Sequence, residues 1–236
     1  MNLLNKKGVV IRNIPRSAPD IIARFAAAGV ATTHEAFNRQ GLMDARIRPI
    51  QQSVSVAGNA VTVLVTPGDN WMFHVAVEQC HPGDVLVVAP SSLCTDGFFG
   101  DLLATSLMAH GVNTLIADVG VRDTQTLREM GFTVWSRAIN AQGTVKETLG
   151  SVNVPVICGG QLVTPGDIIV ADDDGVVVIP HCAAELVLEK ASARIKNEEV
   201  KRQRLAQGET GLDIYNMREK LRQKGLCYYD NPEDVE

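Results

Sequence analysis

Residues 82–138, PGDVLVVAPSSLCTDGFFGDLLATSLMAHGVNTLIADVGVRDTQTLREMGFTVWSRA, decide the fold. Apolar runs at 85–89, 115–118 and 134–138 alternate with helical patterns at 102–109 and 124–130. This βαβαβ rhythm predicts a parallel sheet and an α/β fold class. Ligands of open parallel sheets gather outside the carboxyl ends of the strands. Two such ends carry chemistry here: DGFFGDLL at 96–103 and GVRD at 120–123.

Working outward, Ser17 with Asp20 opens a helical pattern closed by Gly29, and Thr32 with Glu35 opens a second that stops near Gly41. Residues 54–66 alternate around Gly58-Asn59 and are expected to form two strands joined by a turn. Asn70 starts a helix expected to run to Cys80. Beyond Gly150 only strand signals remain, at 154–158, 167–171 and 175–179, so a β-rich layer should pack against the α/β part. A long helical run at 182–207, charged after Lys190, and an amphipathic piece at 212–221 predict a C-terminal helical arm. The expected division is one domain over 1–181 and the arm over 182–236. Pro-Gly-Asp recurs at 67–69, 82–84 and 165–167, where Pro and Gly suit the centre of a type II turn. Asp172-Asp173-Asp174-Gly175 lies between two β-branched runs and is expected to be a hairpin turn with left-handed Asp and Gly rather than a metal cluster.

With 236 residues, 45% of them hydrophobic and 21% charged, the chain can build a substantial core. A balance of 22 Lys and Arg against 27 Asp and Glu, with no basic stripe, argues against nucleic acid as a partner. Five cysteines, an odd number without C-x-x-C spacing, fit neither a disulfide framework nor a zinc knuckle and point to reduced thiols in the cytoplasm. No apolar stretch approaches the ~18 residues of a membrane span, and no export signal is legible.

At the first strand end, Gly97 and Gly100 permit close backbone approach, and the amides of the following helix can hold a carboxylate. At the second, Arg122 offers a planar fork for a carboxylate or polarised carbonyl oxygen, and Asp123 a hard oxygen for a divalent cation. The plain alternative is a surface Arg–Asp pair with Asp123 capping its helix. His74, Glu78 and His81 lack a metalloprotease spacing and read as structural or surface residues, and His110 suits a helix end. Lys146 is the sole lysine between Gly8 and Glu189, but its polar neighbours Thr144, Glu147 and Thr148 do not suit a Schiff-base lysine. Serine-nucleophile signatures are absent.

Asp101 and Arg122-Asp123, separated by twenty residues and following G-x-x-G, resemble the signature of the 4-hydroxy-4-methyl-2-oxoglutarate/4-carboxy-4-hydroxy-2-oxoadipate aldolases. The stretches VTVLVTPGDNWMFHVAVE (61–78), 82–106 with CTDGFFGDLLATS, VWSRAINAQGTVKETLGSVNVPV (134–156) and ADDDGVVVIP (171–180) look like the same family, so the resemblance covers nearly the whole chain. It implies an α/β/β/α sandwich assembled as a homotrimer or homohexamer, and a class II, metal-dependent pyruvate aldolase acting on a small 2-oxo acid.

On this resemblance Asp123 would hold Mg²⁺ or Mn²⁺, and Arg122 would brace the carbonyl oxygen as it becomes an enolate. Gly100, Asp101, Leu102 and Leu103 would receive the substrate carboxylate, and Asp101 would orient a metal-bound water, the first choice for the base. Glu198 or Glu199, from a neighbouring subunit's arm, would approach that water; otherwise both simply solvate an exposed helix. The implied reaction splits 4-carboxy-4-hydroxy-2-oxoadipate into pyruvate and oxaloacetate, or 4-hydroxy-4-methyl-2-oxoglutarate into two pyruvates, in bacterial aromatic acid breakdown, with oxaloacetate decarboxylation on the side. Alternatives are a dedicated oxaloacetate decarboxylase and a non-catalytic regulator of an RNA-processing enzyme, since the regulator of ribonuclease E activity shares the fold. That branch is expected to lack the carboxylate after the arginine. Arg16, Arg39 and Arg137 are candidates, by charge alone, for a far carboxylate of the substrate.

Overall fold

The computed structural model describes residues 3–235. Its elements run α1 (Pro19–Ala36), β1 (Arg48–Pro49), β2 (Val56–Val65), α2 (Trp71–Val77), β3 (Val85–Pro90), β4 (Gly97–Phe99), α3 (Asp101–Ala109), β5 (Thr114–Val121), α4 (Thr124–Glu129), β6 (Thr133–Ile139), β7 (Ser151–Val152), β8 (Val156–Cys158), β9 (Gln161–Val163), β10 (Ile168–Asp172), β11 (Gly175–Ile179), α5 (Ala184–Ala206), α6 (Gly211–Ile214) and α7 (Arg218–Gln223).

The alternation at 82–138 folds as expected, with β3, β5 and β6 parallel neighbours and β2 parallel on the other side of β3. β1 closes one edge antiparallel to β6, while β10 and β11 extend the other in antiparallel order. β2 serves both halves: residues 56–59 pair with β10 and residues 60–65 with β3. The turn expected at Gly58-Asn59 is therefore absent, and one ten-residue strand runs through it. Gly58 is needed for space, since a Cβ there would lie 2.5 Å from the Gly83 carbonyl oxygen. The Asn59 side chain, which suggested a turn, instead accepts the Ser17 N–H at 2.8 Å.

Side chains alternate across the strands and so build three cores. On one face Val61, Val63, Leu86, Val88 and Leu115 pack with Phe73 of α2 and Leu103 and Leu107 of α3. On the other face Leu64, Val85, Val87, Ile116 and Trp135 meet Ile169, Ala171, Val176 and Val178 of β10 and β11. The opposite face of that hairpin, Ile168, Val170, Val177 and Ile179, is covered by Phe25 and Val30 of α1 and by Ala184, Val187 and Leu188 of α5. The layers are thus helix, sheet, sheet, helix: the α/β/β/α sandwich.

Local signals at α1 are redistributed. The two expected helices abut at Gly29, whose φ of 73° and ψ of 175° break the helix. The second piece is capped not by Thr32, which lies inside it, but by Asp172, whose Oδ2 accepts the Val30 N–H at 2.7 Å. Ser17 likewise caps nothing and pairs its hydroxyl with His181 Nδ1 at 3.2 Å. The Asp172–Gly175 hairpin is present, but only Gly175 takes a positive φ, so no left-handed aspartate is required. The three Pro-Gly-Asp turns carry Gly68, Gly83 and Gly166 at φ +74°, +84° and +89°.

The first compact unit extends to Ser192, because the opening turns of α5 belong to the third core. The second begins at Ala193 and holds the rest of α5 with α6 and α7. Within it, Lys201 Nζ sits 4.6 Å from the Tyr215 ring centroid, and Arg218 pairs with Asp213 at 2.6 Å.

Candidate active site

β4, three residues long, pairs with the end of β5 and leads directly into Gly100. Phe99 packs on Phe73 and Phe132, with ring centroids 5.8 and 5.2 Å away, each such pair contributing about 0.5–1.5 kcal/mol. Gly97 and Phe99 pair with Gly120 and Val121, and a Cβ on Gly120 would collide with the carbonyl of Thr95. The Arg122 N–H donates to Phe99 O at 2.8 Å, which fixes where β5 ends.

Asp123 then turns into the left-handed region at φ 54°, ψ 33° and opens α4 without capping it. A non-glycine residue there costs of order 1 kcal/mol or more, a kind of strain concentrated at functional positions. That backbone aims the carboxylate at Gly100, where a Cβ would collide with Asp123 Oδ2. The same oxygen lies 3.6 Å from Arg122 Nε and accepts the Asp101 N–H at 3.4 Å. The Asp101 Oδ1 accepts the Leu102 N–H at 2.8 Å.

These groups line a cavity of about 210 Å³. Of the residues expected at a site, Gly100, Asp101, Leu102, Leu103, Arg122 and Asp123 all border it. Asn70, His74, Phe98 and Lys146 complete the lining. The sequence pattern marks His74 as a structural or surface residue and Lys146 as unsuited to a Schiff base, yet both border the cavity, Lys146 on the loop at 143–149. That loop hangs on Asp69, whose Oδ2 accepts the N–H groups of Glu147 at 2.6 Å and Thr148 at 2.7 Å. That Lys146 is the sole lysine between Gly8 and Glu189 is the one signal the sequence offers. Burial first, and then the charge of Lys146, lower the pKa of His74. Asn70 donates Nδ2 to Phe98 O at 2.9 Å, and its Oδ1 has no hydrogen-bond partner among the described residues.

Glu198 and Glu199 lie on α5 in the second unit, where Glu198 pairs with Arg194 at 2.7 Å and Glu199 with Arg202. The arginines picked by charge are committed elsewhere: Arg16 to Asp84 at 2.8 Å, Arg39 to Glu35 at 3.0 Å and Arg137 to Asp118. None of the three borders this cavity.

Among the described residues no group of three or more His, Cys, Asp or Glu could enclose a metal. Two neighbouring carboxylates, Asp101 and Asp123, suit Mg²⁺ or a similar hard ion, which keeps several waters and takes one or two carboxylates from the protein. They do not suit zinc, which prefers a fuller set of nitrogen and sulfur ligands. The donor set at Asp123 therefore fits a magnesium-type ion. No helix among the described residues is long and apolar enough to cross a membrane.

An α/β/β/α sandwich with an Arg–Asp pair at a strand end facing a glycine-opened helix start is the class of protein this geometry defines. The chain belongs to the RraA-like family described as Aldolase/RraA, whose model matches residues 30–178. It is 30% identical over 83% of its length to a Halalkalibacterium halodurans protein named "Putative 4-hydroxy-4-methyl-2-oxoglutarate aldolase", covering 93% of that protein. A Burkholderia multivorans protein of the same name is 31% identical over 65% of this chain and 95% of its own. A solved Streptomyces coelicolor structure, described as an unusual member of the RNase ES inhibitor RraA protein family, aligns with TM-score 0.70 and 26% identity over 80% of this chain and 99% of that one.

Proposed function

We propose that this protein is a divalent-metal-dependent aldolase that cleaves 4-hydroxy-2-oxo acids to release pyruvate, with 4-carboxy-4-hydroxy-2-oxoadipate and 4-hydroxy-4-methyl-2-oxoglutarate as substrates and oxaloacetate decarboxylation as a side reaction. The observation that carries this reading is the Asp123 carboxylate, held on left-handed backbone beside Arg122 and given room by Gly100. Relatives named as 4-hydroxy-4-methyl-2-oxoglutarate aldolases support it.

The substrate's C1 carboxylate is received by the amides at Leu102 and Leu103, with Asp101 swinging off the Leu102 N–H it now covers. Arg122 directs its fork at the C2 carbonyl oxygen, where negative charge develops. Asp123 holds the divalent ion, which when bound draws electron density from the carbonyl and favours enolate formation. As the C4 hydroxyl gives up its proton, its O–H electrons form the new C4 carbonyl and the C3–C4 pair flows towards the C2 oxygen. Protonation at C3 then completes pyruvate. Glu198 or Glu199 of a neighbouring copy serves to receive the hydroxyl proton through water, which makes a homo-oligomer, trimer or hexamer, part of the proposal.

A coupled assay for pyruvate release checks the reading. Turnover should vanish with chelator, return with Mg²⁺ or Mn²⁺, and be lost in a folded Asp123→Ala protein. Activity that survives complete metal removal would overturn metal dependence, and no pyruvate from either substrate would overturn the aldolase. The match to an RNase inhibitor family favours a second reading, a regulator that binds an RNA-processing enzyme. In that case pyruvate release is absent and addition of the protein slows RNA cleavage by its partner.

A further inference from the structure

The Arg122 fork is central to the site, yet few contacts of its own hold it. Among the described residues its side chain makes no hydrogen bond, and its one ion pair, to Asp123, is 3.6 Å long. Its orientation therefore depends on what packs around it. The 140–149 segment packs there: a Cβ on Gly143 would lie 3.5 Å from Arg122 Nη1, so bare backbone backs the guanidinium.

That segment is tied at both ends. At the near end the Asn140 N–H donates to Val121 O at 2.9 Å, and the Gly97 N–H donates to Gln142 O at 2.7 Å. The Asn140 side chain reinforces this end, donating Nδ2 to Thr95 O and accepting the Gln142 N–H on Oδ1, both at 3.0 Å. At the far end the Val145 N–H donates to Gly68 O at 2.8 Å and the Asn70 N–H to Val145 O at 3.0 Å. Asp69 takes the N–H groups of Glu147 and Thr148 on one oxygen and that of Trp71, 2.8 Å away, on the other, which joins the segment to the start of α2. Asp69 is 2% exposed, and the charge of Lys146, carried on the segment itself, also acts on it. Hydrogen bonds to an ionised acceptor are about twice as strong as neutral ones, so this carboxylate is a firm anchor. Neither Asp69 nor Asn140 borders the cavity.

We propose that Asp69 and Asn140 are positioning residues for catalysis: through the 140–149 segment they hold the Arg122 fork where negative charge develops on the C2 oxygen. Stabilisation of such charge depends on donors fixed in advance, so an anchor remote from the substrate can govern it. This rests on the aldolase reading and adds two residues to its machinery.

The test compares two ligands that are not cleaved, oxalate and pyruvate, by calorimetry on the full-length protein with Mg²⁺ in cell and syringe. Oxalate has a charged oxygen where the enolate would have one, and pyruvate has a neutral carbonyl, so the ratio of affinities reads the fork rather than the stability of the fold. The parent should favour oxalate. Asp69→Asn and Asn140→Ala, each shown to be folded by circular dichroism, should lose about fivefold or more of that preference, within the range of coupled neighbours. In an Arg122→Met background, where the fork is gone, the same substitutions should leave the ratio unchanged. A parent-like ratio in the folded variants, or an equal loss with and without Arg122, overturns the proposal. Should Asp69→Asn not fold, the Asn140→Ala ratio decides. No preference for oxalate in the parent overturns the proposal together with the enolate role of Arg122. Absence of pyruvate release with the preference intact counts against the aldolase reading alone.

Discussion

At the scale of single residues, the site depends on a carboxylate and a missing side chain. Gly100 has φ −152° and ψ −167°, a conformation open to alanine, so Gly100→Ala should fold normally. Its new methyl group would displace the Asp123 carboxylate, and turnover should fall about 100-fold or more, as reactant misplacement near 1 Å commonly does. Asp123→Gly separates geometry from chemistry. Asp123 makes no side-chain cap and sits at φ 54°, so glycine should keep stability within about 1 kcal/mol of the parent while abolishing turnover. Denaturant unfolding beside the pyruvate assay checks both variants; a destabilised but active Asp123→Gly protein would reverse the assignment. Asp101, Arg122 and Asp123 were legible because glycine, arginine and aspartate occur at strand ends where a parallel sheet gathers ligands. Lys146 and His74 were not, since their neighbours in sequence say nothing about which cavity a returning loop will border.

At the scale of elements, the Pro-Gly-Asp turn shows what local pattern can and cannot tell. Its left-handed glycine follows from the tripeptide, whereas the fate of its aspartate is set by distant backbone. Asp69 is buried, and burial would raise its pKa, but the amides of Glu147, Trp71 and Thr148 and the charge of Lys146 prevail and hold it below the usual 3.8. Asp167 forms the same turn, yet burial outweighs the amides of Thr164 and His181 and leaves its pKa raised. The signs of linkage are therefore opposite. Between its depressed folded pKa and 3.8, Asp69 binds more protons unfolded, so its stabilisation is complete above that range and lost as pH falls through it. Between 3.8 and its raised folded pKa, Asp167 binds more protons folded, so its contribution falls as pH rises. Asp69→Asn should cost about 1–3 kcal/mol at pH 7, by leaving loop amides unmet, and less below pH ~3.8. Stability against urea across pH 3 to 7 checks this, and a pH-independent cost would show that the Asp69 charge is not what holds the Lys146 loop. The same non-local logic hid the single β2 strand, because Gly58 and Asn59 signal a turn until β10 and Gly83 close around them.

At the scale of the whole molecule, the change of rhythm after Gly150 announces a β-rich layer and the family resemblance implies the four-layer sandwich, whereas the charge run around Glu198 and Glu199 does not say what those side chains meet. Each of those side chains has an arginine partner within its own helix, Arg194 and Arg202, and such surface pairs contribute only about 0–1 kcal/mol. Exchanging either partner for a water-bridged contact on another subunit would therefore cost little. If the arm of one protomer completes the site of another, a site needs Asp123 from one chain and the glutamates from a second. A Glu198→Gln, Glu199→Gln double variant should then be nearly inactive, as should Asp123→Ala. When the two are unfolded together and refolded into mixed oligomers, sites pairing an intact Asp123 with an intact arm should form, and pyruvate release should reappear. A pool confirmed by mass to contain mixed oligomers, yet as inactive as its parents, would mean that the glutamates act within their own chain. A fully active glutamate double variant would remove them from proton transfer altogether and leave the arm a structural part of the assembly.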